Sequence, residues 1–202
     1  GFNCNCTPVL DLPVEGSREI IGDRAFGTTP ADVVARGRAV VGGHLAGGVV
    51  PVIKHIPGHG RARADSHLEL PVVDAPRATL EATDFAPFKA LADCPAAMTA
   101  HVVYSAIDPA LPGSTSPKVH AEVIRGHIGF DGLLMSDDLS MKALGGPLRD
   151  RAEAVLRAGS DIALHCNGDI TEMDAVAAGA GTLSGRALDR FRRAVAVTHQ
   201  QT

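Results

Sequence analysis

Aromatic side chains are scarce in this chain. They make up 3% of its 202 residues, with no Trp and a single Tyr. A site built mainly of stacking rings is therefore excluded. An excess of positive charge is missing too: 19 Lys and Arg stand against 23 Asp and Glu, a formal net charge of -4, and the isoelectric point is near 6.1. That balance leaves no electrostatic footprint for a nucleic-acid partner. Blocks of like charge that mark interaction tails are absent. No apolar run reaches the length needed to span a bilayer, so no membrane partner is expected. None of the four cysteines (Cys4, Cys6, Cys94, Cys166) falls in a CxxC spacing. They read as reduced thiols of a cytosolic core, and the expected compartment is cytoplasmic. No G-x-G-x-x-G or P-loop pattern follows a strand, which argues against a nucleotide site. No G-x-S-x-G elbow exists to present a Ser nucleophile.

What is present is ordinary in bulk and specific in detail. Hydrophobic residues are 45% and charged residues 21%, as in a soluble globular protein. The length supports one sizeable core in a single domain spanning residues 1–202. The chain opens Gly1-Phe2-Asn3, directly in a strand-like segment without a Met, and the expectation is that the natural N-terminus lies upstream.

A rhythm of apolar run, polar loop and amphipathic stretch repeats along the chain. Strands are expected over 3–10, 49–53, 96–100, 132–136 and 161–164. Thr29-Pro30 and Ser116-Pro117 each read as an N-cap followed by a first-turn proline. They open helices expected to reach about Ala46 and Ile128. Asp84 is a candidate cap for a helix over 85–92, and further helices are expected over 147–158 and 184–199. Near-continuous apolar strands alternating with helices make a parallel sheet covered by helices. Polar clusters follow several different strands: Lys54/His55, His101 and Asp137/Asp138. That distribution fits an α/β TIM-like (β/α)8 barrel better than an open sheet. A complete barrel needs about 250 residues, so the first two or three β/α units are expected to be missing.

The chemistry concentrates in two segments. Residues 54–67, Lys-His-Ile-Pro-Gly-His-Gly-Arg-Ala-Arg-Ala-Asp-Ser-His, follow a buried-strand run. Residues 133–138 are a strand-like run ending in Asp137-Asp138. Successive strand residues face opposite ways, so one carboxylate faces the barrel axis. There it can serve as nucleophile, general base or metal ligand; the structural alternative is a cap for the segment from Leu139. In Asp65-Ser66-His67, a carboxylate two residues from a histidine can fix the imidazole tautomer and raise its basicity, which suits a general acid/base. His55, His59, Asp65, His67 and His101 could in principle ligate zinc. No compact ligand signature is present and Lys54 would repel a cation, so neither metal nor cofactor is expected. Arg24, in a Gly-flanked loop, is either a surface ion-pair partner or a ligand contact.

Lys54-His55-Ile56-Pro57-Gly58-His59-Gly60, Asp65-Ser66-His67 and Ser136-Asp137-Asp138-Leu139-Ser140-Met141 resemble glycoside hydrolase family 3. More narrowly, they are similar to its NagZ-type bacterial β-N-acetylglucosaminidases. Gly22-Asp23-Arg24-Ala25-Phe26-Gly27, Met98-Thr99-Ala100-His101 and the 161–167 segment match as well. The resemblance implies a barrel in which Asp137 is the nucleophile and His67 the acid/base, with Asp65 as its dyad partner. It implies that Arg24, Lys54 and His55 bind the sugar. The implied activity is retaining, exo-acting β-N-acetylhexosaminidase action on peptidoglycan-derived muropeptides, by a monomer on a small-molecule substrate. Departures are Ile56 where family members usually have Phe, Arg61 where Asp is frequent, and no Asp-Gln-Glu-Gly-Gly-type segment. The alternatives are a family 3 β-glucosidase or β-xylosidase, or an inactive sugar-binding barrel fragment. The Asp65-Ser66-His67 triplet favours the hexosaminidase.

Overall fold

The computed structural model describes residues 2–17, 21–63, 66 and 68–199. Five parallel strands form the main sheet: β1 (Cys4–Asn5), β2 (Val50–Ile56), β4 (Ala96–Thr99), β6 (Leu133–Asp138) and β7 (Ile162–Leu164), in the spatial order β1-β2-β4-β6-β7. A small parallel pair, β3 (Val72–Val73) with β5 (Val103–Tyr104), lies apart. The helices are α1 (Pro30–Ala46), α2 (Arg77–Ala82), α3 (Ala86–Ala90), a π-helical segment (Val119–His127), α4 (Leu148–Ala158), α5 (Ile170–Ala180) and α6 (Gly185–Ala196).

The alternation of strand side chains explains the layers. Ile53, Ala97 and Leu134 pair laterally on one face. With Leu10, Val33, Val41, Phe88, Leu91, Val123 and Ile124 they form the larger core, under the helices. Val50, Val52, Ala96, Met98, Leu133 and Met135 point the other way and pack with Ala194 of α6. Lys54 shares its parity with Val50 and Val52, and Asp137 with Leu133 and Met135. The two functional candidates therefore extend the second face toward the carboxyl ends of their strands. Strands buried on both faces and running in parallel are the arrangement of a partial (β/α) barrel.

The expected elements hold with instructive differences. Helix α1 starts as read: Thr29 accepts a hydrogen bond from the Asp32 amide at 3.2 Å, and Pro30 is the first helical residue. Strand β2 runs on to Ile56, so Lys54 and His55 belong to the strand and not to the loop after it. The first strand is short because the chain kinks after Asn5, where the Thr7 amide turns back to the Asn5 carbonyl at 2.8 Å. Pairing resumes beyond it, where Val9 bridges Lys54. Asp84 caps no helix; its carboxylate takes a 2.7 Å bond from Arg61 instead. Ser116 does accept from the Val119 amide at 3.1 Å, but the segment it opens is π-helical. Helix α5, capped by the Asp169 carboxylate on the Thr171 and Glu172 amides, was not expected.

Candidate active site

The loop after β1 and the end of β2 are held together by one carboxylate. Asp11 is fully buried. Its Oδ2 lies 2.6 Å from His55 Nδ1, and its Oδ1 accepts from the His59 amide at 2.7 Å and the His55 amide at 3.2 Å. Burial alone would raise the Asp11 pKa; the charge and hydrogen bond of His55, with those of His59, outweigh it and hold the carboxyl below its usual value. The turn itself depends on close backbone approach. A Cβ at Gly60 would collide with the Leu12 backbone, and Gly58 has φ +145°. Tyr104 donates to the Gly58 carbonyl at 2.9 Å. The Lys54–His55 and Ile56–Pro57 peptide bonds are cis.

His55 joins this turn to the end of β6. Its Nε2 is 4.0 Å from Asp137 Oδ2. Among the described residues, Asp137 Oδ1 accepts one local bond, 2.9 Å from the Asp138 amide. Asp138 is used differently. Its Oδ1 accepts from the Ser140 and Cys166 amides at 3.0 and 3.1 Å, and its Oδ2 from the Ser140 hydroxyl at 2.6 Å. Thus one member of the pair fastens the loops after β6 and β7, and the other faces His55. His101 is buried and bridges Ser114 Oγ at 2.7 Å and the Asp138 carbonyl at 3.2 Å; burial pushes its pKa down, which favours neutral imidazole.

Arg24 and Lys54 line one cavity of about 330 Å³ with Cys6, Thr7, Val9, Asp23 and Phe26. Arg24 is set by the short 3-10 turn Gly22–Arg24 and bonds the Ile21 carbonyl at 3.2 Å. Two cations, with Asp23 and Thr7, on a cavity of mixed lining suit a hydroxylated ligand. Asp65 and His67 lie outside the described residues. Ser66 between them is buried; its hydroxyl is 3.2 Å from His59 Nε2 and its carbonyl accepts from the Ala143 amide at 3.2 Å. Among the described residues, no group of three or more His, Cys, Asp or Glu is arranged to hold a metal ion.

The arrangement holds a carboxylate at a strand end with a histidine 4.0 Å from it, and a cavity lined by two cations, groups whose chemistry covers nucleophilic, acid–base and ligand-binding roles. The profile described as "Glycosyl hydrolase family 3 N terminal domain" matches residues 1–196. The chain belongs to glycosyl hydrolase family 3. A relative named beta-hexosaminidase from Alkalilimnicola ehrlichii is 47% identical over 171 residues, 83% of this chain and 49% of that protein. One from Bordetella avium is 41% identical over 83% of this chain and 48% of its own. The chain thus spans about half the length of the curated relatives it matches. Among solved structures, a family 3 β-N-acetylglucosaminidase from Paenibacillus sp. superposes with TM-score 0.85 at 33% identity, over 98% of this chain and 40% of that one. NagZ from Neisseria gonorrhoeae gives 0.82 at 34% identity, over 99% and 60%. Membership of the family fits the TIM-like barrel expectation, and the five parallel strands are the part of such a barrel present in this chain.

Sequence reasoning missed Asp11. Its signal was available: a lone carboxylate between Leu10 and Leu12 in an otherwise apolar run. Such a group is buried only when its oxygens are fully satisfied.

Proposed function

We propose that the protein carrying this chain is a retaining, exo-acting β-N-acetylhexosaminidase. It acts as a cytoplasmic monomer with a single catalytic barrel domain, and releases terminal N-acetylglucosamine from peptidoglycan-derived muropeptides. The observation that carries the reading is the 47% identity to a named β-hexosaminidase across 83% of the chain. The muropeptide substrate and the compartment rest on the similarity of the motifs to NagZ-type enzymes. No helix among the described residues is long and apolar enough to cross a membrane.

In this reading an Asp137 oxygen bonds to the anomeric carbon as the glycosidic C–O bond breaks. The leaving oxygen takes a proton from His67. Water then gives a proton to His67 and its oxygen to the anomeric carbon, and the ester to Asp137 is cleaved. Two inversions retain configuration. Asp65 orients His67 by accepting its other ring N–H. Arg24, Lys54 and His55 hold the sugar. A histidine near its ordinary pKa of about 6.5 can serve as acid and then as base close to neutral pH.

The test is turnover of aryl β-N-acetylglucosaminide against aryl β-glucoside by the natural protein. Faster hydrolysis of the amino sugar is expected. Faster glucoside turnover would overturn the assignment in favour of a β-glucosidase.

A further inference from the structure

We propose that Asp11 is a positioning residue that fixes the tautomer of His55, so that the sugar-binding nitrogen Nε2 meets the substrate as a hydrogen-bond acceptor. This deepens the reading of the site given above and rests on it for the word substrate, but the tautomer itself does not depend on turnover.

The argument begins with the donors around Asp11. Three nitrogens converge on it: the amides of His55 and His59, which donate, and His55 Nδ1, 2.6 Å from Oδ2, whose hydrogen depends on the tautomer. A neutral carboxylic acid would waste a lone-pair site on its own proton and set that hydrogen against one of them. An ionised carboxylate accepts all three. Its pKa, held low against burial by the neighbouring histidines, agrees. An acceptor-only partner at 2.6 Å obliges Nδ1 to carry a hydrogen. In the neutral ring, Nε2 then holds a lone pair. It is 4.0 Å from Asp137 Oδ2, too far for a hydrogen bond, so among the described residues its lone pair meets no donor and can take the hydrogen of a ligand hydroxyl. Among the described residues, no other side chain hydrogen-bonds to His55; the neighbouring His59 ring is tilted beside it with centroids 5.6 Å apart.

Asp11 also fixes where the ring is. The same Oδ1 that takes the His59 amide takes the His55 amide, so the turn from Lys54 to Gly60 and the imidazole are referenced to one buried point. A carboxylate that served the turn alone would not need its second oxygen on the ring.

Asp11→Asn separates the two roles. Asn keeps one carbonyl oxygen for the two amides, losing only the second, 3.3 Å contact of the His55 amide to Oδ2, and its NH₂ takes the place of Oδ2 and donates to Nδ1. The ring then becomes the Nε2–H tautomer, a donor aimed at Asp137. The measurement is two-bond ¹H–¹⁵N correlation NMR of the histidine side chains near pH 8, with His55 assigned by loss of its signals in His55→Gln. The wild-type chain is expected to show a protonated Nδ1 and a bare Nε2, and Asp11→Asn the reverse. In the natural protein, Asp11→Asn is expected to lower kcat/KM on aryl β-N-acetylglucosaminide by about 10–100-fold, mainly through KM. A wild-type spectrum with hydrogen on Nε2 overturns the inference whether or not any variant folds. So does Asp11→Asn that inverts the tautomer with KM unchanged. Should the natural protein show no hexosaminidase activity, the proposed function falls, and the wild-type spectrum still decides the tautomer.

Discussion

The two ends of the parallel sheet both bury charge, and they do so in opposite ways. At the amino ends of β6 and β7, Asp161 takes Arg190 and Arg125 on its two oxygens, each at 3.1 Å, and the Leu134 amide at 2.9 Å. Asp131 takes Arg190 at 2.6 Å and Arg193 at 3.1 Å. Asp161 is buried and closed by guanidinium groups; Asp131 is exposed but pairs with them as well, and together they tie α6 to the sheet. At the carboxyl ends, Asp11 is closed by amides and a ring nitrogen, but Asp137 keeps its Oδ2 facing a histidine at the limit of ion pairing. A closed pair holds elements together. An open carboxylate with restrained neighbours is available to react. In barrel enzymes the carboxyl ends carry chemistry and the opposite rim stability; Asp137 follows that division, whereas the buried Asp84, closed by Arg61 at 2.7 Å beside the turn after β2, is a structural pair at the carboxyl end.

The sharpest break of that comparison is at Asp137. Asp137→Ala should lower turnover by at least ~10⁴-fold, because no neighbouring side chain can supply a nucleophilic carboxylate at that strand end. Its melting temperature should move little, since the side chain gives up one local bond. A slow fluorosugar substrate should label Asp137 in the wild-type protein by mass spectrometry. Labelling of Asp138, or strong unfolding of Asp137→Ala, would reverse the roles assigned to the two carboxylates.

Asp161→Ala should do the opposite. It leaves Arg125 and the buried Arg190 without their shared partner, and breaking a buried pair costs about 3–5 kcal/mol. For a chain of this length that is a fall of about 10 °C in Tm. The protein that remains folded should keep its KM. A normal Tm would mean that solvent or Asp131 compensates and that the amino-end network is not a clamp.

Much of this division was legible in the sequence, and the reasons are local. The parallel strands, the start of α1 and the pairing of Asp137 with Asp138 each follow from patterns a few residues long. The roles of Asp11, Asp131 and Asp161 were not found, because their partners lie 27 to 62 residues away along the chain. Which of the two adjacent aspartates faces the site was open as well; it depends on the register of β6, which pairs Met135 with Met98 and Ile162. The π-helical form of 119–127 has no sequence signal that propensity could supply.

A pH titration tests the histidines that the fold keeps neutral. His120 is buried between Ser116 and Ser160, and burial pushes its pKa down to about 4. The folded protein then binds fewer protons than the unfolded chain, whose histidine pKa is about 6.5. The stabilisation is full above about pH 6.5 and is lost as pH falls toward 4. The whole span corresponds to about 3 kcal/mol. His59 and His101, also lowered by burial, act in the same direction. Asp11, held low in the fold, adds to the loss below about pH 4. Denaturant midpoints measured from pH 7.5 to 4.5 should fall steadily, and His120→Gln should flatten the slope. A slope unchanged by that substitution would show that His120 is solvated or already charged.

The smallest expected effect is also the most discriminating control, because it applies one chemical change to two adjacent residues. Asp138→Asn keeps a carbonyl oxygen where Oδ1 receives the Ser140 and Cys166 amides, at 3.0 and 3.1 Å. Its new NH₂ replaces the acceptor that the Ser140 hydroxyl reaches at 2.6 Å, and the hydroxyl can turn to accept from it. The net cost should therefore be one weakened bond, about 1 kcal/mol, with kcat/KM within about threefold of wild type. Asp137→Asn removes the carboxylate proposed to form the glycosyl ester, so it should stay as inactive as the alanine variant. Amides at these positions can deamidate back to carboxylate, so activity that grows slowly in Asp137→Asn, and is absent in Asp137→Ala, would support the nucleophile rather than count against it. If the two asparagine variants instead lose activity equally, Asp138 takes part in the chemistry. The two ends of the sheet would then differ less than their geometry indicates.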